Sequence, residues 1–251
     1  MTFSKYTSGK QPFGVLLVIT LLFFVIFINS CSDNPTSPAE DDPVSVQDVD
    51  GNTYPVVRIG EQLWMSENLR AARYANGDSI RHVPEFQAWN GLNEGAWVLY
   101  ANNSSNLNSY GKLYNWFAAT DSRGICPDGW KVPSDQDWQR LEIHLGMSAQ
   151  HAGYSLGRGG SENVGGKMKS TSMWQDPNEG ATNESGFNGR PGGRLYPTGG
   201  FSGLNGFGYW WSTTEYNPAE AYSRNLFYQN GEVYRSMLGK RNGISIRCIK
   251  A

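Results

Sequence analysis

Apolar and polar residues follow several different periods along this chain, and each period predicts a different kind of element. The longest apolar run is Val15–Ile28, which contains Thr20 as its one polar residue, and Lys5 and Lys10 precede it. A basic segment followed by an apolar run of this length is typical of a secretory signal peptide. The run is shorter than the roughly 20 residues that a spanning helix needs. Residues 1–31 are therefore predicted to be a signal peptide, with an uncleaved anchor helix as the alternative.

The end of the apolar run carries a predicted lipidation site. Ile28-Asn29-Ser30-Cys31 resembles a bacterial lipobox, in which the cysteine is acylated and becomes the new N-terminus. Residues 32–46 that follow are rich in proline, acids and small polar residues, so they cannot bury enough surface to fold. We expect a lipoprotein with Cys31 as the lipidated residue, a disordered tether over 32–46, and the membrane as a partner through the lipid.

Strand-like patterns stand at both ends of the remaining sequence. Tyr54–Ile59 and Gln62–Met65 flank Gly60-Glu61, a two-residue loop that predicts a β-hairpin. Near the C-terminus, Asn230-Gly231 is the strongest hairpin signal in the chain. The segments predicted as C-terminal strands are Tyr209–Thr213, Tyr222–Tyr228, Glu232–Ser236 and Ile244–Ile249.

Helical spacing occurs in two short stretches. Leu113, Trp116 and Phe117 are spaced by three and four residues, which predicts a short helix ending before Gly124. Ser134 is a natural N-cap for a second helix, and Asp137 at the third helical position completes a capping box. This second helix buries Trp138, Leu141 and Leu145, and Gly146 is expected to end it.

Long glycine-rich stretches separate these elements. Residues 66–109 and 157–208 contain glycine, asparagine and scattered aromatic residues but little periodicity, so we expect mostly loops folded against the core. The predicted class is therefore α+β, with two short helices, small antiparallel sheets and long Gly-rich loops.

Composition and charge narrow the function classes. With 9 Trp and 13% aromatic residues the chain can bury a sizeable core, so one globular domain is expected. The formal net charge is -2, and basic residues are scattered singly. A nucleic-acid partner is therefore not expected, because phosphate binding needs a clustered positive surface.

The cysteines predict a covalent link. If Cys31 carries lipid, Cys126 and Cys248 remain as an even pair in an exported chain, which predicts a disulfide between them. Two free buried thiols are the alternative, because a core of this size does not require a crosslink.

Several segments together resemble one family, the Fibrobacter succinogenes major paralogous domain of bacterial surface lipoproteins. The segments that carry the resemblance are Asp50–Tyr54, Ile59–Leu69, Tyr110–Trp116, Ile125–Ser134, Trp138, Gly186-Phe187, Pro191–Gly193, Trp210–Glu215 and Ser245–Lys250. The resemblance implies that residues 47–251 form this domain, with a C-type lectin-like fold distantly similar to the formylglycine-generating enzymes. It also implies an outer membrane lipoprotein of the cell envelope, exposed at the cell surface.

The candidate motifs for catalysis and for metal binding are incomplete in this sequence. Gly153–Gly157 matches a nucleophile elbow, but the strand before it and the helix after it are not predicted. The three histidines have no metal-ligand spacing, and the copper chemistry of the formylglycine-generating enzymes needs cysteines that this chain lacks. We therefore predict no enzyme activity, no metal site and no cofactor, with a calcium site at Glu215–Glu220 as a minor alternative.

Aromatic residues among the late loops are the remaining candidates for a ligand site. Aromatic rings beside polar side chains are typical of sugar-binding surfaces, although many such rings belong to cores instead. The predicted ligand-binding residues are Trp174, Tyr196, Phe201, Phe207, Glu215, Tyr216 and Asn217. The sequence thus predicts a surface-anchored, non-enzymatic module that binds a glycan or a protein, with a structural or assembly protein of the envelope as the alternative.

Overall fold

The computed structural model describes residues 42–251, which form a mixed α+β fold of short helices and small, mostly antiparallel sheets. The predicted α+β class is confirmed. The strands are β1 (Ser45–Gln47), β2 (Thr53–Ile59), β3 (Gln62–Met65), β4 (Arg81–His82), β5 (Ala96–Val98), β6 (Leu113–Tyr114), β7 (Trp130–Lys131), β8 (Leu156–Arg158), β9 (Gly192–Leu195), β10 (Phe201–Leu204), β11 (Phe207–Asn217), β12 (Glu220–Phe227), β13 (Val233–Gly239) and β14 (Ile249–Lys250). The helices are α1 (Phe86–Asn90), α2 (Leu107–Tyr110), α3 (Trp116–Ala119), α4 (Asp135–His144), α5 (Ala149–Ala152) and α6 (Val164–Met168).

The strands form four sheets. One has the order β1-β2-β3-β14-β7, and a second has the order β11-β12-β13-β8. Strands β9 and β10 form a two-stranded sheet, and β4, β5 and β6 form a three-stranded one in which β4 and β5 are parallel. The first and last strands thus share one sheet, and the longest strands form another.

The predicted N-terminal hairpin is confirmed. Strands β2 and β3 pair up to Ile59 and Gln62, and Gly60 in the loop has a φ of +59°, a conformation that favours glycine. Strand β3 is buried on both of its faces, since Trp64 packs against Trp138 of α4 at 4.8 Å between ring centroids. The sheet therefore lies inside the domain.

The predicted capping box of α4 is also confirmed. The Ser134 hydroxyl accepts a hydrogen bond from the Asp137 amide at 3.2 Å, and the Asp137 carboxylate accepts one from the Ser134 amide at 2.9 Å. Trp138, Leu141 and Leu145 are buried as the spacing predicts. Short-range sequence signals therefore fix both the start and the orientation of this helix.

The other predicted helix is partly wrong. Leu113–Tyr114 is strand β6 rather than helix, because Tyr114 pairs with Trp97 of β5. Helix α3 starts only at Trp116, where the Asn115 side chain accepts a hydrogen bond from the Ala118 amide at 3.0 Å. A tertiary pairing thus overrides the helical spacing of the first residues.

Three of the four predicted C-terminal strands are confirmed as β11, β12 and β13. The last one is not continuous, because residues 244–249 change partners along their length. Ile244 bridges to Tyr114 and Ser245 to Trp210, whereas Ile249 pairs with β3 and β7. This segment connects three parts of the core rather than extending one sheet.

The glycine-rich stretches contain more regular structure than predicted. Residues 157–208 include α6, β9 and β10, and residues 66–109 include β4, β5, α1 and α2. A buried lysine joins the loops beside α6, since the Lys169 ammonium donates to the carbonyl oxygens of Glu179, Phe227 and Asn230 at 2.6 to 3.1 Å. Three carbonyl acceptors replace the water that a buried ammonium would otherwise require.

The predicted disulfide between Cys126 and Cys248 is present, with 5.9 Å between the Cα atoms. Both residues are buried in the same hydrophobic cluster. The bond joins the turn before α4 to the segment that leads into β14.

The domain begins slightly earlier than the predicted boundary at residue 47. Strand β1 starts at Ser45, the Val44 carbonyl accepts a hydrogen bond from Val56 at 3.0 Å, and Asp42 pairs with Arg58 at 2.6 Å. The predicted signal peptide, Cys31 and the tether up to residue 41 lie outside the described residues. Within residues 42–251, none of the helices has the length and apolar character required to cross a membrane.

A buried ionic network fixes the inner face of the four-stranded sheet against α4. Arg224 of β12 pairs with two acids of α4, with Asp135 at 2.7 Å and with Glu142. Arg235 of β13 also pairs with Asp135, at 2.9 Å. Arg158 of β8 pairs with Glu142 at 2.6 Å. Removing one partner would leave a buried charge unpaired. The network therefore determines which face of the sheet points away from α4.

Candidate binding surface

The predicted ligand-binding residues do not form one cluster. Trp174 is 8% exposed and packs in the core, with its indole N–H donating to the Gly189 carbonyl at 3.0 Å. The prediction that Trp174 is a surface residue is corrected, because its ring fills the space beside Lys169 although it lies in a loop.

Phe201 belongs to a separate small cluster. Its ring lies 5.1 Å from that of Tyr100 and 5.6 Å from that of Phe86, on the side where β9 and β10 pack against α1. It is half-buried there and does not contact the other predicted residues.

Glu215, Tyr216 and Asn217 lie together where β11 turns into β12. Glu215 pairs with Lys240 at 2.7 Å, and the Asn217 side chain accepts hydrogen bonds from the amides of Ala219 and Glu220, which shapes the turn. Tyr216 is 50% exposed and contacts Tyr222 at 5.4 Å between centroids. Of the three, Tyr216 is the residue most available to a ligand.

Phe207 lies on the face of the four-stranded sheet opposite to α4, and Tyr196 reaches the same face through Arg194, which contacts both Tyr196 and Tyr209. Residues that pair across antiparallel strands share a face, and the pairs here are Phe207 with Phe227, Tyr209 with Asn225, and Asn225 with Tyr234. The intervening residues Trp210 and Arg224 point to the opposite, buried face. We call the surface formed by Arg194, Tyr196, Phe207, Tyr209, Phe227 and Tyr234 the aromatic face.

The rings of the aromatic face hold one another in place. Phe227 lies 4.2 Å from Tyr234, 4.9 Å from Phe207 and 6.4 Å from Tyr209, measured between centroids. Such contacts favour fixed relative orientations. Tyr209 is buried and the other members are half-buried, so one side of the array remains accessible.

Polar groups stand between the rings. The Asn225 amide donates to the Ser236 hydroxyl at 2.8 Å, and the Ser223 hydroxyl donates to the Asn225 carbonyl oxygen at 3.1 Å. At the edge, the Tyr234 hydroxyl donates to Glu232 at 2.7 Å. Asn225 and Ser223 are themselves buried, so the polar groups that reach the surface between and beside the rings are those of Ser236 and Glu232.

Arg194 reaches the aromatic face from β9. Its guanidinium carbon lies 4.0 Å from the ring centroid of Tyr196 and 5.1 Å from that of Tyr209, and it donates a hydrogen bond to the Tyr196 hydroxyl. Burial raises the pKa of the Tyr209 hydroxyl, and the charge of Arg194 opposes that rise. Tyr209 therefore presents a neutral ring to the guanidinium at physiological pH.

A glycine allows β10 to approach this surface. Gly203 has a φ of +82°, and a Cβ atom there would lie 2.5 Å from the Phe207 ring. The absence of a side chain lets the backbone of β10 support the edge of that ring.

Sequence reasoning missed Arg194, Phe227 and Tyr234 as members of one surface. Their signal is the alternation of Phe207 with Tyr209 on one strand and of Asn225 with Phe227 on the next, together with Tyr234 after the Asn230-Gly231 hairpin. Combining that alternation with the pairing register of the two hairpins would have placed these side chains on one face.

A comparison with protein families identifies the domain that carries this surface. A family model described as the Fibrobacter succinogenes major domain matches residues 57–250. The chain belongs to this family. The resemblance of the sequence motifs is thus confirmed, and the aromatic face lies inside the matched region.

Other comparisons add no relatives to this Fibrobacter succinogenes major domain. No curated protein and no solved structure matches the chain. The surface must therefore be interpreted from its own chemistry.

Two acidic side chains of this Fibrobacter succinogenes major domain are taken up by the buried ionic network. Asp135 and Glu142 are buried and neutralised by Arg158, Arg224 and Arg235. Over residues 42–251, groups of three or more metal-ligating side chains are also absent. The groups that the aromatic face presents are aromatic rings, hydrogen-bonding side chains, the Arg194 guanidinium and, at its edge, Glu232.

Proposed function

We propose that this chain is a non-enzymatic, cell-surface binding module that takes a glycan on the aromatic face. The observation that carries the proposal is the row of half-buried rings of Tyr196, Phe207, Phe227 and Tyr234, with Arg194, Ser236 and Glu232 beside them. A pyranose ring has an apolar C–H face and polar edges. It can therefore stack on an aromatic ring while its hydroxyls bond to neighbouring polar groups.

The proposal includes the location of the module. The lipobox ending at Cys31 and the family membership support an outer membrane lipoprotein anchored through acyl chains and exposed at the cell surface. Lipid attachment would keep the binding surface at the membrane while residues 32–41 allow it to stand away from the bilayer.

The proposed fold type is C-type lectin-like. Two features support it: the first three strands share a sheet with the last one, in which Ile249 of β14 pairs with Trp64 of β3, and long connections separate that sheet from the strands β9 to β13. The aromatic face is formed by this later half of the chain.

A glycan array probed with the full chain tests the proposal. The chain should be purified in a detergent without a sugar headgroup, and its folding checked by circular dichroism. We expect binding to a subset of glycans, because fixed rings select particular ring faces. A folded chain that binds no glycan would contradict the proposal.

An exposed apolar patch favours an alternative function as an assembly unit of the cell envelope. Leu156 is 73% exposed with a φ of +71°, and Tyr154 and Tyr216 are each about half exposed. Met237 and Tyr222 lie in the same region, since Ser155 contacts Met237 and Tyr222 pairs with it. Exposed apolar groups of this kind are typical of protein contacts. Self-association without glycan binding would favour this alternative.

A further inference from the structure

Arg194 differs from the other arginines of residues 42–251 in what its guanidinium contacts. Most of them lie within 4.0 Å of a carboxylate, and the exceptions are Arg194, Arg241 and Arg247. A cation without a carboxylate in a half-buried position needs another source of stabilisation.

Arg241 and Arg247 obtain this stabilisation from hydrogen-bond acceptors of the protein. Arg247 donates to the Met65 carbonyl at 3.0 Å and to the Asn68 side chain at 2.8 Å, in addition to the Phe187 carbonyl. Arg241 donates to the Leu92 carbonyl at 2.8 Å and to the Asn93 side chain. Their guanidinium groups are thus held by acceptors within the domain.

Arg194 makes a single hydrogen bond, to the Tyr196 hydroxyl. Its Nε is buried without an acceptor, as are those of Arg158 and Arg247, so this N–H does not reach a ligand. A guanidinium has five N–H donors in one plane. Three of the four terminal N–H groups of Arg194 therefore make no hydrogen bond in the structure and remain for a ligand.

The neighbouring rings orient this guanidinium. Stacking on Tyr196 and contact with Tyr209 restrict its plane and reduce the entropy that would be lost when it binds a partner. The planar acceptor that fits such a fork is a carboxylate, which accepts two parallel hydrogen bonds.

We propose that Arg194 recognises the carboxylate of an acidic glycan, one that contains uronic acid residues. The ligand needs a carboxylate for Arg194 and a flat apolar face for the adjoining rings, and a uronic acid provides both on one six-membered ring. This inference rests on the proposed function, since it specifies the class of glycan that the aromatic face takes.

The surroundings of Arg194 set a limit on the length of an acidic ligand. The chain has a net charge of -2, and Glu232 stands at the opposite edge of the aromatic face beside Tyr234. Repulsion from these charges would weaken the binding of long polyanions, so short uronate oligomers suit this surface best. The affinity should also fall with added salt, because the ion pair is partly exposed to solvent.

Isothermal titration of the full chain with matched oligosaccharides tests the inference. The probes are oligomers of galacturonate, mannuronate and glucuronate, each beside its carboxyl-reduced form, which keeps the ring but loses the charge. For at least one pair we expect the acidic form to bind at least tenfold more tightly. Arg194→Gln should abolish that difference, and Arg194→Lys should retain only part of it, because a lysine has no planar fork.

The controls separate charge from recognition. Arg81→Gln removes an exposed positive charge from β4 and should leave the affinities unchanged. Thermal unfolding of each Arg194 variant confirms that the domain is still folded. Polyglutamate of matched charge should bind at least tenfold more weakly than the best uronate.

The outcomes distinguish this inference from the proposed function. Equal binding of acidic and reduced forms would overturn the role of Arg194 but leave glycan binding intact. That role would also be overturned if Arg194→Gln keeps the preference for the acidic form, or if polyglutamate binds as tightly as the uronate. A folded chain that binds none of these probes and no glycan of the array would overturn both.

Discussion

Asp137 stabilises the start of α4 through its charge. Its carboxylate accepts hydrogen bonds from the Ser134 amide and hydroxyl at 2.9 and 2.8 Å, and it lies 3.2 Å from both Lys131 and Arg140. Burial raises the pKa of the Asp137 carboxyl, but the hydrogen bonds from Ser134 and the charge of Lys131 outweigh that effect and lower the pKa overall. The folded state therefore binds a proton less readily than the unfolded state.

This lowered pKa predicts an acid-sensitive contribution to stability. Above the ordinary aspartate pKa of about 3.9 the contribution is fully present, and it is lost as the pH falls through the lower pKa of the folded state. Asp137→Asn should therefore lower the free energy of unfolding by about 1 kcal/mol at pH 7 and by less at pH 3. Urea unfolding at both pH values measures this, with the exposed Asp128→Asn as a control for the loss of one charge. An equal effect of Asp137→Asn at both pH values would contradict the account.

The contacts at the start of α4 join residues close in sequence and were predictable, whereas the distant contacts that form the aromatic face were not. Ser134 and Asp137 are three positions apart, so their contact follows from the helical turn. Arg194 contacts Tyr209 because β9 lies beside β11, which no local pattern reveals. The burial of Trp174 was missed for the same reason, since the groups that bury it come from elsewhere in the chain.

Strand β10 supports the aromatic face through a glycine. Gly203 and Gly200 both have positive φ angles, of +82° and +94°, but only at Gly203 would an added Cβ meet a side chain, at 2.5 Å from the Phe207 ring. Their substitution therefore separates backbone strain from collision with the ring.

Gly203→Ala should destabilise the domain more than Gly200→Ala and should also weaken glycan binding. Backbone strain alone costs about 1 kcal/mol, and the collision at Gly203 adds roughly 1–3 kcal/mol or displaces Phe207. Chemical unfolding and the glycan array measure the two effects. Equal destabilisation by both variants, with unchanged binding, would show that Phe207 does not depend on the approach of β10.

At the scale of elements, local periodicity was sufficient to predict the strands and helices that keep the same neighbours along their whole length. The β2–β3 hairpin and strands β11 to β13 alternate regularly and were predicted. Leu113–Tyr114 became a strand because β5 supplies a partner, and Ile244–Ile249 divides its pairing among Tyr114, Trp210 and Trp64. Such contacts depend on the tertiary arrangement rather than on the segment itself.

Across the whole molecule, the disulfide and the last strand join distant parts of the chain. Cys126 and Cys248 are separated by 122 positions, and Ile249 pairs next to that bond with both β3 and β7. Both features connect the C-terminus to the sheet that contains the first strands. The class of fold and this crosslink were predictable from sequence, whereas the aromatic face required the register of three strands.

Removal of the disulfide should destabilise the domain strongly. In the chain-entropy model, a crosslink across a loop of this length contributes about 4–5 kcal/mol, although strain and residual structure often reduce the measured value. The double variant Cys126→Ala with Cys248→Ala, which leaves no free thiol at this site, should therefore lose several kcal/mol in urea unfolding. A loss below about 1 kcal/mol would show that packing alone holds the two segments together.

The proposed function places glycan binding on the aromatic face. A pair of matched tyrosine variants on the glycan array tests this assignment most directly. Tyr234 lies on the aromatic face against Phe227 at 4.2 Å, whereas Tyr154 is exposed between α5 and β8, outside that face. Tyr234→Ala should reduce binding at least tenfold, about 1.4 kcal/mol, on the glycans that the unmodified chain binds, and Tyr154→Ala should leave it unchanged. The opposite result, with binding lost in Tyr154→Ala and retained in Tyr234→Ala, would contradict the account and transfer the binding site to the exposed patch around Leu156.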